Sequence, residues 1–397
     1  MTETRRCKIV IVGGGPAGLA TALHLAQLSP ALAAETIIIE AAEHPRHKLC
    51  GGGITFHGEE QLTRLGLAVD VPTFTVEHLI FRLGAQAFTI SAAQAMQVIQ
   101  RHEFDAALAR AVVDRGLELH LNERLLDLQV AADGVRLTTN RSSYETAVVV
   151  AADGANSMVR RKLRLFTSVG VARLLRVLTP IDPQTTTAWQ TKTAVFDFSC
   201  IMGGIQGYVW DFPCLLNGSA YMNRGIFDSR IAPAAAQGRG HLKETFVTGL
   251  QARQINLEQS PLEGHPVRWF DASAEFSRPR VLFVGDAAGV DPLFAEGISY
   301  GIEYGEVAAA AMQNAFATGD YAFTDYRRRL LAHPLGKMLQ RRALVARLLY
   351  THRWPRLWTL FWRMAAVSPT AVQQAIGSSL ALLPPKTNSR RRPGTRD

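Results

Sequence analysis

The sequence has few cysteines and no long apolar run near its start. Its four cysteines are scattered along 397 residues, and no two of them form a CxxC pair. A disulfide framework and a metal site built on cysteines are therefore not expected, and a reducing compartment fits best. The first apolar run, IVIV at residues 9–12, is too short for a signal peptide or a membrane span.

Acidic residues are nearly absent from the last fifth of the chain. Residues 326–397 contain 15 lysines and arginines and one acid, whereas the rest is mildly acidic and the whole chain has a net charge of +9. This asymmetry predicts a nucleic-acid or membrane partner. The hydrophobic content of 47% is typical of a globular protein, and the length allows two domains.

Three glycines near the start form a G-x-G-x-x-G pattern. Gly13 and Gly15 follow a predicted strand at 8–12, and Gly18 lies in the first turn of a predicted helix at 17–28. Such glycines let the backbone approach a pyrophosphate at the helix N-terminus, where unpaired N–H groups and the helix dipole favour negative charge. The pattern alone is weak evidence, because three glycines at this spacing also arise by chance.

The next predicted strand, 36–39, supplies the supporting context. It ends on Glu40, 22 residues after Gly18. An acid at this position can accept hydrogen bonds from the ribose hydroxyls of an adenosine. The two features together predict a dinucleotide site.

Two later strand ends also carry an acid beside a glycine. AVVVAADGANS places Asp153 and Gly154 after a buried strand, and RVLFVGDAAG places Gly285 and Asp286 after another. An acid at such a strand end can hold the polyol of a ribityl chain.

The segment from Pro292 to Gly297 leads into a helix of small residues. The N-terminus of this helix, near Gly297 and Ile298, can stabilise negative charge on a reduced isoalloxazine. The three glycine-rich signals, in this order and about 130 residues apart, predict FAD as the cofactor.

These stretches resemble flavoproteins with the para-hydroxybenzoate hydroxylase fold, over about residues 7–330. The resemblance implies an α/β fold: a Rossmann-like FAD-binding domain with an inserted β-rich substrate domain and C-terminal helices. Arg101 matches an arginine that opens a helix and reaches the flavin dinucleotide, although a solvated helix-end charge is the alternative. Arg46 and Lys48 either pair with phosphates or are solvated. The implied cofactor-binding residues are Gly13, Gly15, Pro16, Ala17, Gly18, Glu40, Arg46, Gly51, Gly52, Arg101, Asp153, Gly154, Gly285, Asp286, Pro292, Gly297 and Ile298.

The domain boundaries follow from the same resemblance. The FAD-binding part is predicted to comprise 1–74, 100–169 and 269–325, and the substrate part 75–99 and 170–268. Two further regions are a basic helical membrane-facing region, 326–385, and a disordered basic tail, 386–397.

Two stretches resemble the geranylgeranyl reductase family of FAD-dependent oxidoreductases. PRHKLCGGGIT, residues 45–55, resembles the segment where that family has a cysteine before a glycine run, and YVWDFP, residues 208–213, matches its Y-x-W-x-F-P substrate signature. The family usually continues this signature with lysine, whereas this chain has Cys214, which leaves the substrate head group open. The resemblance implies catalytic roles for Cys50, Tyr208 and Trp210, and substrate contacts by Gly53, Tyr208, Trp210, Phe212 and Pro213.

The aromatic signature has a physical interpretation. Tyr208, Trp210 and Phe212 alternate along a predicted strand and therefore point to one face. A row of aromatic rings can bury the polyprenyl chain of a lipid or prenyl diphosphate. Reduced FAD would then transfer a hydride to one alkene carbon of that chain. Cys50, Tyr208 and a bound water are alternative proton donors. A plain sandwich core gives the same aromatic pattern, and a small buried hydrophobe is the alternative interpretation of Cys50.

Three other functions remain open on the sequence. A flavin monooxygenase or halogenase shares the fold, and halogenases carry a related W-x-W-x-I-P element, but Tyr208 and Phe212 favour the reductase. A redox-neutral carotenoid cyclase also accepts long polyenes, and a non-catalytic prenyl-binding escort is the third alternative. The sequence does not determine whether electrons come from NAD(P)H, ferredoxin or another carrier, since Asp153 and Gly154 alone do not establish nicotinamide use.

The basic region contains a tryptophan stripe. Trp354, Trp358 and Trp362 are spaced four residues apart on a helix that Pro355 can begin. Aromatics on one face with arginines around them predict attachment to an anionic membrane, so the protein is expected to be cytoplasmic and peripheral on the membrane. A helix packed on the catalytic domain is the alternative. No nucleic-acid partner is expected, because no recognisable binding module carries the charge.

Overall fold

The computed structural model contains two eight-stranded sheets and a set of helices that pack on them. It describes residues 4–165, 170–232, 240–255, 257–258, 260–350, 355–379 and 382. The predicted mixed α/β class is confirmed. The helices in these ranges are α1 (Pro16–Leu28), α2 (Pro30–Ala33), α3 (Phe56–Arg64), α4 (Arg101–Asp114), α5 (Met158–Lys162), α6 (Thr187–Gln190), α7 (Leu242–Gln251), α8 (Ile298–Thr318), α9 (Tyr326–Ala332), α10 (Pro334–Tyr350), α11 (Pro355–Val367) and α12 (Thr370–Ser379).

The first sheet has a parallel centre, in which β16, β9, β1, β2 and β6 lie in that order. Its central strands are fully buried runs such as IVIV and VVV, as expected for a parallel sheet covered on both faces. An antiparallel extension, β7–β8, joins β9. The strands are β1 (Thr4–Val12), β2 (Thr36–Ile39), β6 (Glu118–His120), β7 (Leu125–Val130), β8 (Val135–Thr139), β9 (Ser143–Ala151), β15 (Ser277–Arg278) and β16 (Val281–Phe283).

The second sheet is mostly antiparallel, with the order β14-β10-β13-β12-β11-β4-β5-β3, and only the β11–β4 pair is parallel. Its short edge strand comes from residues 53–55, which the sequence prediction assigned to the FAD part. The predicted domain boundaries otherwise stay a prediction. The strands are β3 (Gly53–Thr55), β4 (Thr73–Leu83), β5 (Gln86–Ile99), β10 (Val171–Pro180), β11 (Thr193–Asp197), β12 (Gly207–Leu216), β13 (Ser219–Asp228) and β14 (Glu263–Arg268).

Helices α1 and α8 pack closely behind the first sheet because their contact surfaces are built from small residues. A Cβ atom added at Gly305 of α8 would lie 2.8 Å from the backbone nitrogen of Thr21 on α1. This close approach fixes the N-termini of both helices relative to the strand ends of the first sheet.

His24 on α1 makes stability depend on pH. It is 7% exposed, and burial lowers its pKa from 6.5 to about 4. The unfolded chain therefore binds a proton at His24 below about pH 6.5, whereas the folded chain does not until about pH 4, so stability falls as pH decreases through this window. We expect His24→Leu to remove up to about 3 kcal/mol of that loss. Urea unfolding at pH 7.5 and pH 4.5 measures it, with exposed His241→Leu as the control; equal losses in wild type and His24→Leu would contradict the prediction.

The C-terminal helices pack on the second sheet. Helix α11 lies against β5, and Trp362 is 3% exposed, with its ring centroid 5.1 Å from that of Phe88 and 5.5 Å from that of Phe198. The expectation that Trp362 faces a membrane is therefore wrong, because the apolar surface of the sheet buries it. Trp354 and the side chain of Trp358 lie outside the described residues, as does the tail 386–397. Among the described helices, none is both long and apolar enough to cross a membrane.

Candidate functional site

A cavity of about 560 Å³ lies between the two sheets. It begins at the carboxyl ends of β1, β2, β9 and β16 and extends to one face of the second sheet, the place where open α/β sheets bind ligands. Twenty of the 23 predicted site residues line it. The three that do not are Gly18, Pro213 and Pro292.

Gly13 and Gly15 of the G-x-G-x-x-G segment lie at one end of this cavity. Gly13 has a φ of +114°, and a Cβ atom there would lie 2.4 Å from the carbonyl oxygen of Ala152. A Cβ atom at Gly18 would lie 1.9 Å from the carbonyl oxygen of Gly13, so Gly18 serves close packing behind the cavity. Gly15 and Pro16 do line the cavity, at the start of α1.

Helices α1 and α8 begin at the cavity without a capping side chain. The first turns of α1 and α8 contain no acid, and neither N-cap residue, Gly15 or Gly297, supplies a side-chain hydrogen bond. Their N–H groups and dipoles are therefore available to negative charge on a ligand. Ile298, the first residue of α8, also lines the cavity.

Glu40 holds the glycine segment in place. One carboxylate oxygen accepts the N–H of Gly14 at 2.7 Å, and the other accepts the N–H of Ala42 at 3.0 Å. Arg46 Nε lies 3.4 Å from Glu40 Oε1. Glu40 also lines the cavity, so the predicted ribose contact stays compatible with this arrangement.

Arg101 enters the cavity from the start of α4. Both its Nε and NH2 groups bond to Asp105, at 2.7 and 2.8 Å. Burial would lower the pKa of Arg101, but Asp105 more than offsets this and raises it, so the guanidinium stays charged. A solvated helix-end charge, the alternative from the sequence, is excluded by this burial.

Asp286 and Asp153 are enclosed acids at two strand ends. Burial raises the pKa of Asp286, while Lys48 and Arg101 act in the opposite direction. Burial also raises the pKa of Asp153, whose Oδ2 accepts the N–H of Val159 and whose Oδ1 has no hydrogen-bond partner among the described residues. Asp153 lines the cavity, so its carboxyl group is placed to meet the hydroxyl groups of a ligand.

An aromatic wall lies on the side of the cavity formed by the second sheet. Tyr208, Trp210 and Phe212 are 3–4% exposed and line the cavity together with Phe196 and Phe294. The Tyr208 hydroxyl donates a 2.6 Å hydrogen bond to the carbonyl oxygen of Phe294, so its proton is already engaged. Pro213 is buried on the opposite face of β12, because successive strand residues alternate between faces.

Asn223 on β13 joins the aromatic wall to the segment CGGG. Its Oδ1 accepts the N–H of Trp210 at 3.0 Å, and its Nδ2 donates to the carbonyl oxygens of Cys50 and Gly51 at 2.9 and 3.1 Å. A Cβ atom at Gly225 would lie 2.0 Å from the Trp210 ring, so this glycine makes room for the indole. No sequence pattern described above indicated this function of the Asn223 side chain.

The cysteines have different environments. Cys50 lines the cavity, and its sulfur accepts the N–H of Gly52 at 3.3 Å. Gly52 has a φ of +78°, a backbone conformation that favours glycine. Cys214, which replaces the usual lysine, is fully buried and does not line the cavity, and burial raises the pKa of its thiol to about 12. A lysine at this position would meet the buried core.

The loop from Asp291 to Ile298 closes one side of the cavity. Arg342 of α10 is fully buried and donates to Asp291 Oδ2 at 2.5 Å and to Glu296 Oε2 at 2.8 Å. Thr55 donates to the other oxygen of Glu296 at 2.7 Å. Pro292 lies within this loop and supports it without reaching the cavity. Nothing in the sequence distinguishes Arg342 from the other arginines of the basic region.

These features fit FAD. Uncapped helix N-termini and the cations Arg46 and Arg101 suit a pyrophosphate, the enclosed acids suit the polyol and ribose hydroxyls, and the aromatic residues suit a flat ring system. Glycines stand where a Cβ atom would narrow the cleft: at Gly51 it would lie 3.4 Å from the ring of Phe212.

Comparisons with known proteins agree with this geometry. Residues 6–199 match the FAD binding domain family. The chain is 28% identical to the menaquinone reductase of Mycolicibacterium smegmatis, over 80% of this chain and 78% of that protein. It is 25% identical to digeranylgeranylglycerophospholipid reductase 2 of Methanosphaera stadtmanae, over 79% of each.

Solved structures share the fold. A geranylgeranyl bacteriochlorophyll reductase-like protein from Thermoplasma acidophilum superposes with a TM-score of 0.70 at 19% identity, over 95% of this chain and 92% of that one. The fold is also shared by the flavin-dependent halogenase CmlS, with a TM-score of 0.64 and 21% identity over 94% of this chain and 70% of that one. The p-nitrophenol 4-monooxygenase PnpA of Pseudomonas putida has a TM-score of 0.68 and 18% identity, over 98% of this chain and 100% of that one. The fold alone therefore does not select between reduction and oxygenation.

Proposed function

Since this chain is an FAD-dependent oxidoreductase with menaquinone and geranylgeranyl reductase homologues, we propose that it reduces double bonds in the prenyl chain of an isoprenoid lipid. The observation that carries this proposal is the aromatic wall of Tyr208, Trp210 and Phe212, which shares one cavity with the dinucleotide-binding glycines. Reduced FAD, when bound, supplies a hydride.

The residues of the cavity suit an apolar, unsaturated chain. The rings of Trp210 and Phe212 are 6.3 Å apart and those of Phe196 and Phe212 are 4.9 Å apart, so the rings form one continuous apolar surface. Such a surface excludes water and holds an isoprene unit against the flavin-facing segment at Cys50. An isolated alkene has no polar group that the protein could bind by hydrogen bonds. Most of the decrease in the activation barrier for hydride transfer therefore comes from orientation of the alkene by packing.

The test uses the holoenzyme with its FAD chemically reduced under anaerobic conditions, which avoids any assumption about NAD(P)H or ferredoxin. We expect a geranylgeranyl-bearing glycerophospholipid or a menaquinone with an isoprenoid side chain to reoxidise the flavin and gain two hydrogens by mass spectrometry. The matched control is the same lipid with a fully saturated chain, which leaves the flavin reduced. A flavin that stays reduced until oxygen is admitted, and then oxygenates an added substrate, would replace the reductase with a monooxygenase.

The C-terminal helices support a second part of the proposal, attachment to an anionic membrane. On α11, Leu360, Met364 and Val367 form an outward stripe, 51%, 61% and 84% exposed, next to the exposed Arg363. On α10, Leu344 and Leu348 are 58% and 56% exposed, beside the exposed Arg341 and Arg347. Apolar side chains flanked by arginines suit the interface of an anionic bilayer, where the lipid substrate would lie.

Membrane attachment is tested with a charge on each stripe. We expect Leu348→Glu together with Met364→Glu to weaken sedimentation with phosphatidylserine-containing vesicles about tenfold or more, because both changes oppose insertion and anionic charge. Val113→Glu, which changes a residue 56% exposed on α4, is the matched control. Equal sedimentation of the double variant, the control and wild type would contradict the membrane proposal.

A further inference from the structure

Two basic side chains inside the cavity contact each other. The Nζ atom of Lys48 lies 2.6 Å from Nε2 of His265 on β14, and both residues line the cavity. An ammonium group only donates, so His265 Nε2 is the acceptor and the ring is neutral, with its hydrogen on Nδ1. Lys48 is thus held beside the segment that contains Cys50 and Gly51.

The charges around this pair ease release of the Lys48 proton. Burial lowers the pKa of Lys48; Asp286 acts against this effect, while Arg101 and Arg46 add to it. Burial also lowers the pKa of His265 to about 4, and Lys48 and Arg101 contribute to the same decrease. The titratable groups that face Lys48 are Arg46, Cys50, Arg101, His265 and Asp286.

His265 also lines a second cavity of about 780 Å³ beside α7. Among the described residues, only Leu174 and His265 line both cavities. The second cavity opens to solvent past the exposed His241 and Gly264. His265 therefore stands between solvent and Lys48.

We propose that Lys48 and His265 form a proton relay that delivers the proton consumed when the alkene is reduced. This inference rests on the proposed function. The alkene gains two electrons and two hydrogens: the hydride supplied by FAD forms one C–H bond, and an N–H bond of the Lys48 ammonium breaks as the second C–H bond forms. Once Lys48 is a neutral amine it no longer donates to Nε2, and exchange with water of the second cavity moves the His265 hydrogen from Nδ1 to Nε2. This Nε2–H bond then breaks as the amine regains its proton, while water protonates Nδ1 and restores the starting tautomer. The Tyr208 hydroxyl, by contrast, is engaged with the Phe294 carbonyl.

The first test needs no substrate. Histidines of the holoenzyme are labelled for NMR, and the His265 signal is assigned by its loss in His265→Leu. We expect His265 to stay neutral down to about pH 4 and its pKa to rise in Lys48→Met. The exposed Lys243→Met is the matched control and leaves the His265 titration unchanged. If the His265 titration does not respond to Lys48→Met, the pair does not form and the relay is overturned.

The second test follows reoxidation of the reduced holoenzyme by a geranylgeranyl lipid. We expect Lys48→Met to slow this step by about 10²–10⁴-fold, the range of general acid catalysis. Reoxidation by ferricyanide, which needs no proton on carbon, stays unchanged. The wild-type rate falls as pH rises through the pKa of Lys48, and His265→Leu slows later turnovers more than the first.

The outcomes separate the relay from the proposed function. If the wild type reduces the lipid and Lys48→Met does so at the same rate and with the same pH profile, the relay is overturned and the reductase function stands. Coupled titration of His265 with no reduction of any prenyl lipid by wild type overturns the proposed function, and the relay with it. Slowing with both the lipid and ferricyanide assigns Lys48 to flavin binding and overturns the relay.

Discussion

Arg342→Met is expected to destabilise the protein by about 3–5 kcal/mol, the cost of leaving a buried charge without its partner. Arg342 is the counter-ion of Asp291 and Glu296, and its guanidinium lies 5.3 Å from the ring centroid of Phe294 and 5.1 Å from that of Tyr300. Methionine keeps much of the packing volume but leaves two enclosed carboxyls unpaired. Urea unfolding at pH 7.5 measures the loss.

The same substitution is expected to weaken FAD binding, because the Arg342 cluster fixes the loop that leads into α8. Phe294 and Gly297 of this loop line the cavity. Fluorescence titration with FAD measures the affinity. Arg341→Met changes the exposed neighbour on the same helix and is the control. Adding Glu296→Gln to Arg342→Met should restore part of the lost stability, because the two sites are coupled. If Arg342→Met matches Arg341→Met in both measurements, the cluster does not hold the loop.

Asn223→Ala is expected to lower prenyl reduction about 100-fold, the scale on which small misplacements of reacting groups act. The side chain is fully buried and fixes both the Trp210 indole and the Cys50–Gly51 carbonyls. Alanine leaves these three groups unpaired, each at a cost of about 1–3 kcal/mol before relaxation. The ring of Trp210 is then free to leave the position that Gly225 provides.

Single-turnover reoxidation by the geranylgeranyl lipid measures this effect, and tryptophan fluorescence reports the release of Trp210. Asn314→Ala, an exposed change of the same kind on α8, is the control. Wild-type rates in Asn223→Ala would show that the hydrogen bonds to Trp210 and to the Cys50 segment are unimportant for the substrate.

The cofactor could be identified from the sequence because its binding depends on local patterns. Gly13, Glu40 and Asp286 each stand at the end of a buried strand, and a buried parallel strand is visible as an apolar run. Strand ends of a parallel sheet lie at one edge, so residues far apart in sequence meet there without further information. The prediction of FAD followed from these patterns, and the α/β class followed from the family resemblance that the same residues carry.

The aromatic signature was also local, since period two along β12 brings Tyr208, Trp210 and Phe212 to one face. The hydrogen-bond partners of their polar atoms, by contrast, could not be predicted from the local sequence. The Tyr208 hydroxyl meets a backbone carbonyl 86 residues away, and Asn223 meets Cys50 across 173 positions. Hydrogen bonds at such separations depend on how the two sheets pack, and composition or periodicity does not record that packing.

The C-terminal region shows most clearly which properties the sequence determines and which the tertiary structure determines. Its charge and its tryptophan spacing are properties of the sequence, and they predicted an amphipathic helix that begins at Pro355, as observed. Which face of that helix is buried was decided by the second sheet, which covers Trp362 and leaves Leu360, Met364 and Val367 outside. Arg342 and the pair of Lys48 and His265 were likewise decided by tertiary structure. A charged side chain is stable inside a protein only where partners from distant segments converge on it, and that convergence exists only in the folded chain.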